Sequence, residues 1–270
     1  DKIKKLIREE KIGGIIFSKG GPQRQAKLNN EFQELAEVPL LVGMDAEWGL
    51  AMRLDSTFAL PWNMTLGAVN DLELIEEAGA AISRNSRRLG VHINFAPVID
   101  INTNPENPII GSRAFGEDKF NVTEKALAFM KGMHSEGILS SAKHFPGHGD
   151  TEKDSHKTLP TISFSKKRIN EVELYPYRKL IGAGVSSVMV AHLNVPALEP
   201  ELNRPSSISK TIVTGILKEE LGFEGLIFTD ALNMKGVSNL YKPGEVDLLA
   251  LLAGNDVLLY AEDVPKSKAL

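Results

Sequence analysis

Seven short, apolar, β-branched runs recur along this chain with longer stretches of helical period between them, and that alternation restricts the fold more than any other feature of the sequence. The runs are Gly14–Ser18, Leu40–Asp45, Ile93–Asp100, Leu139–His144, Ser187–His192, Leu226–Asp230 and Asp256–Tyr260. The helical stretches are Gln23–Ala36, Asp71–Leu89, Asn121–Glu136, Lys166–Ala183, Lys210–Leu221 and Glu245–Leu252. Strand and helix in strict alternation imply a parallel sheet with helices outside it. The near-continuous apolar character of the runs suits strands buried on both faces. Asp71 and Ser209 stand where helices begin and can cap them, and Gly90 and Gly137 stand where a left-handed residue can end one. No Pro/Ser-rich linker, low-complexity tract or strict repeat interrupts the pattern. The expectation is a single domain over residues 1–270, which could be one part of a longer protein.

Two parallel architectures compete, an open doubly wound sheet and a closed barrel. The runs end, in order, in Ser18, Asp45, Asp100, His144, His192 and Asp230, all polar and most ionisable. A barrel gathers all its strand ends around one mouth, where its active site lies. An open sheet concentrates such groups at one switch point. No GxGxxG follows a strand run, so nothing argues for a dinucleotide and no cofactor is expected. The expected fold is therefore α/β, a TIM-type (β/α)8 barrel. Seven strands are counted and the chain opens in a helix, so the first strand is expected to lie upstream of residue 1.

Composition narrows the function classes. The formal net charge of -4, with both signs interspersed, argues against nucleic acid as a general partner, because phosphate binding needs a basic surface. The absence of cysteine excludes disulfides, thiolate metal sites and a thiol nucleophile. No apolar run approaches the roughly 18 residues that span a bilayer, so no membrane span is expected.

The stretch richest in chemistry is Lys143-His144-Phe145-Pro146-Gly147-His148-Gly149-Asp150-Thr151-Glu152-Lys153-Asp154-Ser155-His156. It follows a strand run, holds three of the six histidines and is a loop by its glycines and proline. Packing does not explain such a cluster on a loop at a barrel mouth. Two chemistries fit it. His144, His148 and His156 with Asp150 or Asp154 are ligand types suited to zinc. In Asp154-Ser155-His156, a carboxylate two residues away can hold the imidazole in one tautomer for acid/base work. Spacing alone does not choose between them.

Lys143 to His156 resembles the KHFPGHGDTxxDSH signature of the family-3 β-N-acetylglucosaminidases. Asp45-Ala46-Glu47 with Arg53, Asn94 to Asp100, Asn107 to Gly116, and Phe228-Thr229-Asp230-Ala231-Leu232 resemble further segments of that family in the same order. The resemblance runs from Gly13 to Tyr260. It implies Asp230 as nucleophile, His156 as acid/base and Asp154 as the group that orients His156. It also implies that Asp45, Arg53, Arg113, Lys143 and His144 bind the sugar, with no metal. Where many members carry Gly-Gly after the D-x-E, this chain has Trp48-Gly49, so the lining of the site differs there. Trp48 and Trp62 can stack on a sugar, but core packing is the commoner role of tryptophan. His192 and Asp100 either line the pocket or brace a neighbour. His134 and His92 read as packing or surface histidines.

The function implied by the resemblance is retaining removal of terminal β-linked N-acetylglucosamine, in the trimming of peptidoglycan fragments for recycling. The expected partner is an N-acetylglucosamine-containing carbohydrate. A cytoplasmic setting is favoured, with an exported or periplasmic one as the alternative, and oligomeric state is left open. Three alternatives stand beside it: phosphorolysis by the same residues, a metal-dependent barrel hydrolase using the histidine cluster, and a non-catalytic carbohydrate-binding module.

Overall fold

The computed structural model describes residues 2–151, 159–242, 244–261 and 263–270. Among the described residues, six strands form one sheet: β1 (Gly14–Ile16), β2 (Leu41–Met44), β3 (Ile93–Asn94), β4 (Leu139–Phe145), β5 (Ser187–Val190) and β6 (Leu226–Thr229). Their order in the sheet is the order in the chain, and every pair is parallel. A doubly wound sheet reverses its strand order at a switch point. Among the described residues the order never reverses, and the fold is the TIM-type barrel. The seventh run continues the series beside β6 through a parallel bridge between Phe228 and Val257. Thr229 N–H donates to the Val257 carbonyl at 3.0 Å and Leu232 N–H to that of Leu259 at 2.9 Å. An apolar cavity of about 550 Å³, lined in part by Gly14, Ile16, Phe95, Phe228 and Val257, lies between β1 and this last run.

Prolines account for two departures from the expected elements. β3 ends at Asn94 rather than at Asp100. Pro97 has no N–H to give the ladder, and the chain continues beside β4 through a single bridge from Val98 to Lys143. The helix expected over Lys166–Ala183 is two helices, Lys166–Glu171 and Leu174–Gly182. Pro176 cannot donate to the carbonyl four residues back, so it is tolerated only in the first turn of a new helix. The expected ends hold. Asp71 accepts from Glu73 N–H at 2.9 Å, Ser209 accepts from Ile212 N–H at 3.1 Å, and Gly90 and Gly137 have φ of 70° and 77°.

The side chains that fill the barrel and those that pack outside it follow from the two-residue period of strands. Ile93, Phe95, Met189 and Phe228 meet inside, with Phe95 and Phe228 edge to face at 5.3 Å. Val42, Met44, Val188, Val190 and Ile227 alternate outward against helix residues such as Ile75, Phe129, Ile212 and Leu217. Two helices of that outer layer, Leu72–Arg88 and Lys119–Ser135, cross with their backbones nearly touching. A Cβ on Gly79 would stand 2.2 Å from the Phe129 carbonyl oxygen, and one on Gly132 would stand 1.8 Å from that of Glu76. No helix among the described residues is long and apolar enough to cross a membrane.

Candidate active site

Register carries the apolar interior up to a charged mouth. Lys143, Met189 and Phe228 lie in one row across β4, β5 and β6. Two residues beyond Phe228, on the same face, comes Asp230. One residue beyond the last of β2 comes Asp45. The inward positions thus change from a hydrophobic floor to ionisable groups at the C-terminal ends of the strands, where a barrel keeps its site.

The centre of the mouth is a chain of charge-assisted hydrogen bonds. Lys143 Nζ donates to Asp45 Oδ1 at 2.9 Å and reaches Glu47 Oε1 at 2.7 Å. Arg113 grips the same Glu47 with two prongs, Nε to Oε2 at 3.0 Å and a terminal nitrogen to Oε1 at 2.7 Å. Arg53 donates to the other oxygen of Asp45 at 2.5 Å. Its Nε is buried and has no hydrogen-bond partner among the described residues. Lys143 and Glu47 are almost fully excluded from water. Burial alone would raise the pKa of Glu47, but Arg113 and Lys143 outweigh it and hold the carboxyl well below the usual range. Asp45 is lowered in the same way by Lys143 and Arg53, against its own burial. Lys143 is raised, because Asp45 and Glu47 overcome the cost of burying an ammonium.

His144 joins this chain to Asp100. Its Nδ1 lies 2.7 Å from Asp100 Oδ2, so Nδ1–H donates to the carboxylate, and Nε2 faces an Arg113 nitrogen at 3.3 Å as acceptor. Asp100 also receives the backbone N–H groups of His144 at 3.2 Å and His148 at 2.7 Å. One carboxylate therefore fixes both ends of the His144–His148 turn. Gly149 closes that turn against the chain after β3, where a Cβ would stand 1.9 Å from the Ile101 carbonyl oxygen. His148 Nδ1 pairs with Thr151 Oγ1 at 2.7 Å, and Thr103 donates to Asp150 at 2.9 Å. His148 and Asp150 accordingly shape the loop.

Asp230 completes the described part of the site. Its own Oδ1 accepts from Ala231 N–H at 2.8 Å. Burial would raise its pKa, but His144, His192, the Ala231 N–H and Lys143 together hold it below the ordinary carboxylate value. The carboxylate thus lies within electrostatic reach of His144 and Lys143. Asp154 and His156 lie outside the described residues.

With this geometry in view, likeness to known proteins is informative. Residues 1–270 match the Glycosyl hydrolase family 3 N terminal domain. The chain belongs to glycosyl hydrolase family 3. It is 35% identical over 280 residues to Beta-hexosaminidase A of Pseudoalteromonas piscicida, covering 95% of this chain and 47% of that one. It is 34% identical to a Beta-hexosaminidase of Nitrosospira multiformis, covering 99% of this chain and 78% of the relative. Among solved structures, a glycoside hydrolase family 3 beta-N-acetylglucosaminidase from Paenibacillus sp. str. FPU-7 superposes with a TM-score of 0.93 at 40% identity, covering 99% of this chain and 53% of that chain. The chain therefore spans about half the length of the Pseudoalteromonas and Paenibacillus proteins.

This family-3 site also uses groups that reading the sequence did not assign. Glu47, the second carboxylate of Asp45-Ala46-Glu47, is the hub between Lys143 and Arg113. Its signal was the two-residue spacing, which puts both carboxylates on one face of an extended chain. Asp100, left ambiguous, orients His144 rather than facing an open pocket. His192 braces the Asp230 turn: its Nε2–H donates to the Ala231 carbonyl at 3.0 Å and its Nδ1 accepts from Ser207 Oγ at 2.7 Å. His134 bonds Ser140 and Ser186 away from the mouth, as a packing histidine does. For the metal reading, both nitrogens of His144 are engaged by protein groups, and the described residues hold no group of three or more ligand-type side chains placed for an ion.

Proposed function

We propose that this chain is the single catalytic domain of a retaining exo-β-N-acetylglucosaminidase acting on glycans with a terminal β-linked N-acetylglucosamine, peptidoglycan fragments among them. The observation that carries the reading is the position of Asp230, one residue past the end of β6 and on the inward face with Phe228, its carboxyl kept below the ordinary carboxylate value against burial by His144 and Lys143 nearby. An ionised carboxylate held inward at a strand end is what nucleophilic attack on an anomeric carbon requires.

In the first step an Asp230 oxygen bonds to the anomeric carbon as the glycosidic C–O bond breaks. His156, oriented by Asp154, gives its proton to the departing oxygen. In the second step water attacks the same carbon, its proton goes to His156, and the bond to Asp230 breaks with overall retention. Asp45 and the buried nitrogen of Arg53 hold sugar hydroxyls. Arg113 and Lys143 donate to oxygens that gain charge as the ring flattens, and donors fixed in advance do so without reorganising. His144, held by Asp100, lines the sugar site and keeps Arg113 in place. The beta-hexosaminidase and beta-N-acetylglucosaminidase names of the relatives support this substrate class.

The test is trapping with a 2-acetamido-2-deoxy-5-fluoro glycosyl fluoride followed by mass spectrometry, which should label the Asp230 peptide. Asp230→Asn should lower kcat on an N-acetylglucosaminide by at least about 10³-fold, the scale of losing a covalent catalyst. Turnover at the parent rate by that variant sinks the assignment. Running the assay with inorganic phosphate separates the phosphorolytic alternative, whose main product is sugar-1-phosphate. Full activity after exhaustive chelation removes the metal-dependent one.

A further inference from the structure

Gln25 carries a buried amide that the protein itself does not satisfy. It lies near the start of the helix Pro22–Leu35 and is 2% exposed. Neither its Oε1 nor its Nε2 has a hydrogen-bond partner among the described residues. A buried polar group left unpaired destabilises the fold, so an orphan amide calls for a partner from outside the chain. Gln25 lines a cavity of about 270 Å³ together with Lys19, Gly20, Gly21 and Arg24. A water takes about 30 Å³ of liquid, so the cavity has room for a group of several heavy atoms.

The surroundings of that cavity favour negative charge. Lys19 and Arg24 are exposed, and neither is paired with an acidic group among the described residues. No residue lining the cavity is acidic. The helix begins here, its first turn has no acidic side chain, and its N-cap, Gly21, supplies no side-chain acceptor. Pro22 has no N–H. Those of Gln23 and Arg24 precede the first intrahelical bond, from Gln25 N–H to the Gly21 carbonyl at 3.1 Å. Open N–H groups at the positive end of a 14-residue helix attract an oxyanion. Gly21 has φ −90° and ψ 154°, which other residues adopt freely, and a Cβ there would meet nothing within 4 Å. Serine, aspartate or asparagine would cap the helix from this position. Glycine leaves its N–H groups open to a ligand.

The loop lining the cavity stands beside the mouth. Ile16 of β1 pairs with Gly43 of β2, so Ser18, two residues on, comes level with Asp45. The Gly20 carbonyl accepts from Asp55 N–H at 2.9 Å, two residues beyond the Arg53 that holds Asp45.

We infer that Lys19, Arg24, the first N–H groups of Pro22–Leu35 and the Gln25 amide form a binding site for a small oxyanion, a phosphate or carboxylate group, beside the proposed sugar site. Lys19 and Arg24 supply the charge. The backbone N–H groups and Gln25 Nε2 donate to the oxygens of the anion. Hydrogen phosphate satisfies both Gln25 atoms, accepting from Nε2 and donating its remaining proton to Oε1. The group comes either free from solution or as an acidic substituent of a bound glycan. Only the second source rests on the glycosidase reading.

The probe is inorganic phosphate, titrated against chloride at constant ionic strength and followed by calorimetry and by the urea midpoint. Phosphate should bind the intact chain and raise its midpoint. Lys19→Gln combined with Arg24→Gln, both at exposed positions, should weaken binding on the order of tenfold or more, the scale of a lost hydrogen bond to a charged group. Gln25→Met keeps the packing volume and removes the orphan amide. Its midpoint without phosphate should equal or exceed the parent's, while its response to phosphate shrinks. No response in the intact chain, an undiminished response in the double variant, or parent-like binding in Gln25→Met overturns the site. Kinetics separate the two sources. For an acidic substituent, the double variant should raise KM for β-1,4-linked N-acetylglucosaminyl-N-acetylmuramic acid and leave that for neutral N,N′-diacetylchitobiose at the parent value. Equal effects on the two disaccharides, or none, identify the free anion as the ligand. Failure of the intact chain to hydrolyse either disaccharide counts against the glycosidase reading, and the phosphate titration then decides the site by itself.

Discussion

His148 shows how one residue's burial becomes a property of the whole protein. It is 1% exposed beneath the loop, and its pKa is pushed down to about 4, first by burial and then by the neighbouring His144, with Asp100 pulling the other way. The unfolded chain takes up a proton near 6.5 that the folded chain refuses until about 4. Above the unfolded value both states are neutral and the stabilisation is fully present. As pH falls from 6.5 towards 4 only the unfolded state gains the proton, and stability is lost. The gap is worth roughly 3 kcal/mol at its limit. His148→Asn should therefore flatten the pH dependence of stability between pH 6.5 and 4, measured by urea unfolding at several pH values. A variant with the parent's slope would assign that slope to other groups. At this scale the sequence was legible as to which residues gather, where residue type and motif coincide: Asp45, Arg113, Lys143 and His144 do meet in one hydrogen-bonded group. Its spacing put Glu47 on one face with Asp45 but did not give its burial, because no spacing says which of two carboxylates will lose its water. Nor did it say that Asp100 and His192 would face other protein groups, which depends on register between strands far apart in the chain.

Elements explain how these groups are held. Asp45, Lys143, His144 and Asp230 sit at or just past strand ends, and those strands are kept in place by helices packed outside them. The closest packing is between Leu72–Arg88 and Lys119–Ser135, where Gly79 and Gly132 let the backbones approach. In an isolated helix alanine is favoured over glycine by about 1 kcal/mol. Here the order reverses, because a methyl on Gly132 would overlap the Glu76 carbonyl. Gly132→Ala should destabilise the protein by about 1–3 kcal/mol, the usual cost of overpacking, while Gly137→Ala, with nothing within 4 Å of its Cβ, should lose only what its positive φ demands. Denaturant midpoints of the two variants compare a steric effect with a backbone one. A gain in stability in Gly132→Ala would mean that the helices separate at little cost. Helix positions were legible because apolar periodicity and caps act locally. The break before Pro176 and the early end of β3 before Pro97 were written in the sequence too, but a proline stops an element only when its neighbours need the hydrogen bond it cannot give.

The whole molecule adds what neither residues nor helices contain, the sequential strand order that brings six strand ends to one mouth. That order was legible because every polar run-end had to be explained at once, and only a barrel does so. The order also ranks the strands by protection. β4 and β5 have hydrogen-bonded neighbours on both sides, whereas among the described residues β1 pairs with β2 alone, and a cavity of about 550 Å³ separates it from Val257–Tyr260, which lies along β6. A strand edge with no partner has amides that open without breaking a ladder. Hydrogen exchange followed by mass spectrometry should therefore find Gly14–Ile16 and Val257–Tyr260 exchanging well before Ser141–Phe145 and Ser187–Val190. The mouth residues should follow their strands, with Lys143 and His144 on the slow side and Asp45 intermediate. Protection of Gly14–Ile16 equal to that of β4 would mean that another backbone seals this edge in solution, and the arrangement of the site would then depend on that contact as well as on the strands described here.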